Sequence, residues 1–363
     1  MKKICLFLFF VFCALACNMP KLCAQDLIND VFLTLRRDYI NDLSNKEIAL
    51  KGLKTLTEIS PALELKETSK KIVLYNGKSM VKQFPWPQES DNIEAWVALC
   101  HDIINEAIRV DSAVQARQNK LPDRFATSVF EGLDGYSHYF GAKDDDDNKP
   151  LKIRRPFASR VIDKILLLRV VSFKKDMAQN IKTAVEECSK CEGVILDLRG
   201  NHGGFLDEAV KIADMFLDEG IITYTLSSDN AEPAYYTAGK GDILSGKPMV
   251  ILTDGLTASA AEVLAAALSE QNRAVIIGTK TYGKGTVQDV KKRDADHAFA
   301  VTTAYFYTPS GIKIDKIGLT PFICVGEDND CAPVDRFTKD EDIDAAVKYL
   351  KTGSKEITPS EIY

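Results

Sequence analysis

The chain has 363 residues, of which 45% are hydrophobic and 27% are charged. A chain of this length forms about two domains of roughly 150 residues each, and this composition excludes a wholly disordered or fibrous protein. Its formal net charge of −6 argues against nucleic acid and anionic lipid surfaces as partners.

Residues 1–24 are predicted to be an export signal. Lys2 and Lys3 precede an apolar run that is too short to span a bilayer. Two processing sites remain open, because cleavage before Cys17 would leave a lipoprotein, whereas cleavage after Ala24 would release the mature chain. We therefore expect an exported protein of the periplasm or cell envelope, whose only membrane contact would be a lipid anchor at Cys17.

Residues 26–140 are predicted to form a mainly helical N-terminal region. Apolar residues recur at helical spacing over residues 26–39 and 93–110. A strand-like patch between them ends at Asn76-Gly77, a pair that favours a β-hairpin. The helices of this region could form a homo-oligomer or dock an adaptor that delivers a substrate.

Residues 141–161 are predicted to be an acidic linker. They contain four consecutive aspartates at positions 144–147, and a run of like charge is usually a solvated loop. A calcium site is the alternative, but the glycine and the distal glutamate of an EF-hand loop are missing. We expect no metal ion and no cofactor in this protein.

Residues 162–335 have the pattern of an α/β core, and residues 336–363 that of a C-terminal helix and tail. Short apolar runs alternate with helical patterns, which predicts largely parallel strands buried on both faces. The strand-like runs cover residues 165–171, 193–198, 248–253 and 274–278, and the helical ones cover 174–188, 206–217 and 260–271. A β-ribbon is expected over 286–291 and 298–307.

Four cysteines fall within this core. Cys188 and Cys191 could form a small disulfide loop or remain two thiols, and no second pair at zinc spacing accompanies them. Cys324 and Cys331 flank a polar loop that a disulfide could close.

Ser259 is the candidate nucleophile. It lies in the segment 254–262 (DGLTASAAE), between a buried strand and an alanine-rich helix. The free N–H groups and the positive dipole end of a helix stabilise negative charge, so the N–H of Ala260 could help to form an oxyanion hole. A capping box, in which Ser259 caps the helix and Glu262 reaches back, is the purely structural alternative, with Thr257 as another cap.

Lys284 is the candidate base. It lies in the segment 282–288 (YGKGTVQ), where glycines on both sides permit unusual backbone angles and close packing. A surface lysine in a flexible turn is one alternative, and a phosphate-binding loop is another. The phosphate loop requires Ser or Thr at the position of Gly285, and a helix rather than a strand should follow.

A serine needs a base to become a nucleophile, and a lysine serves only in its neutral form. Because the ordinary pKa of lysine is about 10.4, an apolar pocket would have to favour the neutral amine. The amide oxygen of Gln288, four residues after Lys284, could accept a hydrogen bond from this amine without adding charge. Ser–Lys pairs are a known alternative to Ser–His–Asp triads.

Four segments together resemble the carboxyl-terminal-processing, or tail-specific, serine peptidases. They are residues 134–140 (DGYSHYF), 197–204 (DLRGNHGG), 257–262 (TASAAE) and 283–288 (GKGTVQ). The lysine follows the serine by 25 positions, as in that family. The resemblance covers about residues 130 to 325.

The resemblance implies Ser259 as nucleophile, Lys284 as base and Gln288 as the residue that orients the amine. It also implies an oxyanion hole made of the backbone N–H groups of Ala260 and of the Gly203–Gly204 turn, with either glycine as the donor. Arg199 and Asn201 would be supporting residues, and we expect Arg199 to brace the glycine loop rather than to bind substrate. The implied fold is an α/β core related to the crotonases and the caseinolytic proteases.

The chain departs from this family in several places. The family usually carries a PDZ domain before the core, but only residues 141–163 are available here, which is too short. We therefore expect a serine endopeptidase that cleaves protein or peptide substrates, in some cases near their C-termini, without a strong need for a free C-terminus. Ala261, His202 and Gly135 replace frequent family residues without removing a catalytic atom.

One other catalytic triad and two other functions are alternatives to the Ser–Lys peptidase. A Ser–His–Asp triad would join His202 and Ser259 with Asp197 or Asp254. A non-catalytic envelope protein that binds peptides or a partner would keep the fold and lose the triad, whereas Ser259, Lys284 and Gln288 are all present. A crotonase-like acyl-ester enzyme would leave the lysine and the glutamine unexplained.

Overall fold

The computed structural model describes residues 26–141, 155–227, 232–325 and 331–353. The predicted export signal with Cys17, and the aspartate run at 144–147, lie outside these residues. The chain divides into two compact units. The first unit comprises Met1–Lys143 with Val290–Val301, and the second comprises Asp144–Asp289 with Thr302–Tyr363.

The first unit is mainly helical, as predicted, and includes a small antiparallel sheet in the order β1-β2-β3. The strand β1 was not expected from the sequence. The elements are α1 (Leu27–Asp38), α2 (Asn45–Ile59), β1 (Leu63–Glu67), β2 (Lys71–Asn76), β3 (Ser79–Pro85), α3 (Ile93–Val110), α4 (Ser112–Gln115), α5 (Leu121–Glu131) and β4 (His138–Phe140).

Local sequence signals set the ends of these elements. A complete capping box joins Ser44 and Glu47 at the start of α2. The predicted hairpin turn lies between β2 and β3, where Gly77 has a φ of +59°, an angle that glycine adopts without a steric penalty. Apolar faces of the helices and of the sheet then pack into one core that includes Phe299 and Val301.

Asp26 connects the first helix to the third. Its carboxylate accepts a hydrogen bond from the N–H of Ile28 at 3.0 Å and contacts Nε2 of His101 at 2.5 Å. The hydrogen bond to Asp26 raises the pKa of His101. Burial alone would raise the pKa of Asp26, but the hydrogen bond and charge of His101 lower it overall.

The second unit has the α/β architecture that the sequence predicts. Its elements, of which β12 and β13 belong in part to the first unit, are β5 (Phe157–Ile162), β6 (Ile165–Val170), α6 (Met177–Glu187), β7 (Gly193–Asp197), α7 (Leu206–Phe216), β8 (Ile221–Leu226), β9 (Ala234–Thr237), β10 (Met249–Thr253), α8 (Ala260–Glu270), β11 (Val275–Gly278), β12 (Thr286–Lys292), β13 (Ala298–Tyr307), β14 (Ile323–Cys324) and α9 (Glu341–Thr352). The likeness to crotonases and caseinolytic proteases stays a prediction.

A six-stranded sheet in the order β14-β11-β10-β7-β6-β5 forms the centre of this unit. All neighbouring pairs are parallel except β5 with β6. Residues of α6, α7 and α8 pack on one face of the sheet, and residues of α9 pack on the other. The carboxyl ends of β7, β10 and β11 therefore meet at one edge, which is where open α/β sheets bind ligands.

The strand β5 lies at the end of the predicted linker. It is an edge strand, and four of its six residues are exposed. Because an exposed edge strand does not need alternating apolar residues, its sequence does not carry the usual strand signal. The predicted boundary at residue 161 therefore falls inside a strand.

A second sheet has the order β12-β13-β8-β9. Tyr305, Phe306 and Tyr307 of β13 pair antiparallel with β8 in the second unit. The other end of β13, at Ala298 to Ala300, pairs with β4 in the first unit. The predicted β-ribbon thus exists, and the chain passes from one unit into the other along it.

Cys188 forms a disulfide with Cys191, which decides between the two alternatives that the sequence left open, and Cys324 forms a disulfide with Cys331. Among the residues that the structure describes, none of the helices is both long and apolar enough to cross a membrane.

Candidate functional site

Ser259 occupies a strained turn between β10 and α8. Its φ of +59° and ψ of −125° are unusual for a residue with a side chain. The turn is held by the N–H of Thr257, which donates to the carbonyl of Asp254 at 3.0 Å, and by that of Ala258, which donates to the carbonyl of Asn201 at 2.9 Å. A strained strand-to-helix turn that presents a serine is the geometry of a nucleophile elbow.

The helix α8 presents its N-terminus at Ser259. The N–H of Ala260 has no acceptor in the described part of the chain, whereas those of Ala261 and Glu262 donate to the carbonyls of Ala258 and Ser259. The helix dipole makes this end of α8 positive. Every residue from Ala260 to Leu268 is buried, so the helix is held firmly against the sheet. The N–H of Ala260 therefore belongs to a fixed, electropositive group next to the serine, which suits an oxyanion.

The two glycines predicted for the oxyanion hole have different surroundings. The N–H of Gly203 donates to Oδ1 of Asn201 at 2.8 Å, and Nδ2 of Asn201 donates to the carbonyl of Val170 at 3.0 Å. Gly204 is exposed, and its N–H has no acceptor among the residues that the structure describes. Gly204 is therefore the better donor candidate, with Gly203 held in place by the buried Asn201.

Neither glycine could carry a side chain without displacing its neighbours. A Cβ atom on Gly203 would lie 2.9 Å from Cβ of Ser259. A Cβ atom on Gly204 would lie 2.2 Å from the carbonyl oxygen of Phe173, and the φ of Gly204 is +142°. The glycine turn therefore contacts the candidate nucleophile directly, and close approach is the physical reason for both glycines.

Glu262 joins the serine segment to the lysine segment. One carboxylate oxygen accepts the N–H of Ser259 and the N–H of Lys284, both at 2.9 Å. The other oxygen accepts the hydroxyl of Thr281 at 2.5 Å and the N–H of Gly283 at 2.7 Å. Ser259 and Lys284 donate to the same oxygen atom of Glu262. Their backbone nitrogens therefore lie no farther apart than the combined length of these two hydrogen bonds.

The sequence assigned Glu262 only to the helix cap. The structure contains the capping hydrogen bond from the N–H of Ser259 to the carboxylate of Glu262. Its contacts to Thr281, Gly283 and Lys284 could not be inferred from spacing, because they lie about twenty positions along the chain. Burial raises the pKa of Glu262, and its four hydrogen-bond donors oppose that effect.

The lysine loop is fixed along its backbone. The N–H of Tyr282 donates to the carbonyl of Thr257 at 3.0 Å, which ties the loop to the nucleophile turn. A Cβ atom on Gly285 would lie 2.0 Å from the backbone nitrogen of Asp315, and Gly283 has a φ of +85°. The glycines on both sides of Lys284 are therefore required by neighbouring backbone, as the sequence indicated.

Gln288 lies on β12, close to two threonine hydroxyls. Its Nε2 donates to Oγ1 of Thr286 at 2.6 Å and to Oγ1 of Thr302 at 3.4 Å. These contacts orient the amide so that Oε1 is the atom left to accept from an amine.

Arg199 is buried, with 1% of its surface exposed, so it does not face a substrate. Its guanidinium donates to both carboxylate oxygens of Asp197, each at 2.8 Å, and to Asp342 at 3.0 Å. It therefore links the end of β7 to the first turn of α9. Bidentate pairs of this kind fix geometry as well as charge.

The Ser–His–Asp alternative finds little support in these contacts. His202 is exposed, whereas both candidate acids are engaged elsewhere. Asp197 binds Arg199, and Asp254 accepts the N–H groups of Gly200 and Leu256, each at 3.0 Å. Neither acid is placed to hold an imidazole.

Part of the second unit matches a known peptidase family. Residues 164–325 match the model of peptidase family S41. A carboxy-terminal-processing protease of Bartonella bacilliformis is 38% identical over 172 residues, which cover 46% of this chain and 40% of that protein. The carboxy-terminal processing protease CtpA of Bacillus subtilis is 36% identical over 156 residues, which cover 42% of this chain and 33% of that protein.

The match spans less than half the length of these relatives. A solved structure of a photosystem II D1 C-terminal processing protease aligns with 82% of this chain and 92% of its own, with a TM-score of 0.49 and 18% identity. The fold assignment rests on the strand order given above. Residues 164–325 of this chain are thus similar to peptidase family S41, and the curated relatives of this segment are carboxy-terminal-processing proteases.

Proposed function

We propose that this protein is an exported serine endopeptidase that hydrolyses peptide bonds in protein substrates, including bonds near their C-termini. Ser259 is the nucleophile, Lys284 the general base, and Gln288 the residue that orients the amine. The main support is the carboxylate of Glu262, which accepts the backbone N–H groups of both Ser259 and Lys284. A buried acceptor common to both segments keeps the two reacting residues together.

The first half of the reaction forms an acyl-enzyme. Oγ of Ser259 attacks the carbonyl carbon of the substrate while its proton passes to Nζ of Lys284. The N–H groups of Ala260 and Gly204 donate to the oxyanion of the tetrahedral intermediate. The carbon–nitrogen bond then breaks, and the leaving amine takes the proton from Lys284.

The second half releases the acid. Water attacks the ester carbon and gives a proton to Lys284, and a second tetrahedral intermediate forms at the same two N–H groups. The carbon–oxygen bond to Ser259 breaks, and Oγ recovers its proton from the lysine. A neutral amide at Gln288 suits both halves, because a carboxylate there would favour the charged lysine.

Digestion of an unfolded protein tests this function. We expect the mature chain to degrade casein, whereas Ser259→Ala and Lys284→Ala should leave it intact. Equal cleavage by the wild type and by Ser259→Ala would overturn the assignment of the nucleophile. Correct folding without any cleavage would favour a non-catalytic peptide-binding protein or a need for an activating partner.

The location of the protein is part of the same proposal. The expected signal over residues 1–24 directs export to the periplasm or cell envelope, and Cys17 would carry the lipid if the leader is of the lipoprotein type. Labelled palmitate should then be incorporated by the wild type and not by Cys17→Ser. A soluble, unlabelled product that begins at Gln25 would instead support simple secretion.

The remaining assignments also stand as proposals. The N-terminal helical region would provide contacts for a homo-oligomer or for an adaptor, and residues 162–335 would form the peptidase core. Arg199 and Asn201 would support the site through the contacts described above. Size-exclusion chromatography with light scattering measures the oligomeric state directly.

A further inference from the structure

Two large aromatic side chains are exposed close to the candidate catalytic residues. Phe205 is 61% exposed and Tyr282 is 57% exposed. A single exposed aromatic side chain is ordinary on a protein surface. Phe205, however, directly follows the glycine turn beside Ser259, and Tyr282 precedes Lys284 by two residues, and the backbone N–H of each is hydrogen-bonded.

Phe205 directly follows the glycine turn. Its N–H donates to the carbonyl of Phe173 at 3.0 Å, so its backbone is fixed while its ring remains exposed. Gly203, two residues earlier, lies against Ser259, because a Cβ atom there would be 2.9 Å from that of the serine. Two Cα–Cα steps span at most about 7.6 Å, which places Phe205 within reach of a substrate bound at Ser259.

Tyr282 approaches from the lysine loop. Its N–H donates to the carbonyl of Thr257, two residues before Ser259, and it precedes Lys284 by two residues. Ile317 lies beside the same loop and is 49% exposed, and its backbone nitrogen would be 3.3 Å from a Cβ atom on Gly283. Phe205 thus follows the glycine turn that contacts Ser259, whereas Tyr282 and Ile317 lie at the loop that carries Lys284.

We propose that Phe205 and Tyr282, with Ile317 beside the lysine loop, form an apolar subsite for a substrate side chain next to the scissile bond. This inference rests on the proposed peptidase function and adds a substrate preference to it. Binding sites combine apolar and aromatic side chains with a few fixed polar groups, and here the polar groups are the N–H donors of Ala260 and Gly204. The preferred substrates are therefore unfolded segments rich in large apolar residues.

The test compares cleavage-site preference among matched variants. Peptides from a digested proteome are treated with the wild type, Phe205→Ser and Tyr282→Ser, and new ends are identified by mass spectrometry. Phe205→Leu and Tyr282→Phe are the conservative variants. Val161→Ser is the control, because Val161 is 57% exposed but pairs with Leu166, away from the carboxyl ends of the parallel strands.

We expect the wild type and the Val161→Ser variant to prefer a large apolar residue at one position beside the cleaved bond. Each serine variant at Phe205 or Tyr282 should lower kcat/KM for such peptides at least about tenfold, mainly through KM, and should flatten the preference. The conservative variants should restore it. An unchanged preference in both serine variants would overturn the inference.

A small fluorophosphonate separates this inference from the proposed function. It should label Ser259 at the wild-type rate in the variants at Phe205 and Tyr282, because it does not need the subsite. Labelling and cleavage without any apolar preference would overturn the subsite alone. Absence of both labelling and cleavage in the wild type would overturn the peptidase function and the subsite with it.

Discussion

Replacing Glu262 with glutamine probes the link between the serine and lysine segments. The carboxylate is fully buried and accepts four hydrogen bonds, from the N–H groups of Ser259, Gly283 and Lys284 and from the hydroxyl of Thr281. Glutamine has nearly the same shape, but one of its two terminal groups is an NH₂ donor rather than an acceptor. Either orientation of the amide therefore leaves two donors facing another donor.

The expected cost follows from those two lost bonds. Leaving one buried donor without an acceptor costs about 1–3 kcal/mol, so the two together should cost about 2–6 kcal/mol. This is a large part of a typical free energy of unfolding of about 5–15 kcal/mol. If the loops shift instead, a displacement of about 1 Å between the reacting residues should lower kcat about a hundredfold.

Chemical denaturation and casein hydrolysis measure the two effects separately. Glu208→Gln is the matched control, because Glu208 is also a buried glutamate that accepts a backbone N–H, from Ala178 at 2.9 Å, without contacting the lysine segment. We expect Glu208→Gln to lower stability with little change in kcat, whereas Glu262→Gln should lower kcat in protein that is still folded. If Glu262→Gln has the stability and the kcat of the wild type, the reasoning is refuted. Such a result would indicate that Glu262 is already a protonated carboxyl group in the wild type rather than a carboxylate.

Four further predictions follow from the site and the first unit. Lys284→Arg should lower kcat at least about a thousandfold, measured by peptide hydrolysis, because arginine keeps the charge but does not release a proton. Asn201→Ala should lower the free energy of unfolding by about 2–4 kcal/mol and kcat more than KM, because the N–H of Gly203 loses its acceptor; an unchanged kcat would contradict this. Amidation of a peptide's C-terminus should leave its cleavage rate nearly unchanged, and loss of cleavage would show that a free carboxylate is required. The contact between Asp26 and His101 should stabilise the fold most between roughly pH 4 and 6.5. The protonated His101 is favoured in the folded state, so this contribution is lost as the pH rises through its raised pKa, and that of Asp26 is lost as the pH falls. The difference in free energy of unfolding between the wild type and His101→Asn should therefore shrink by a few tenths of a kcal/mol from pH 6 to pH 8. An equal difference at both pH values would refute this contribution of the Asp26–His101 contact.

The sequence by itself determined the elements of the core and the identity of the candidate residues. Buried parallel strands are continuous apolar runs, so β6, β7, β10 and β11 could be predicted within one or two residues of their ends. The positions of Ser259, Lys284 and Gln288 follow from local motifs in a fixed order. Such signals are carried by neighbours along the chain, which is why they are readable without a structure.

The tertiary structure alone decided how these residues are held. It placed Glu262 between the serine segment and the lysine segment, and it packed α9 onto the face of the sheet opposite α8. It also assigned Val290–Val301 to the first unit. Each of these depends on contacts between residues that are distant along the chain, and periodicity and spacing report only on residues that are near one another.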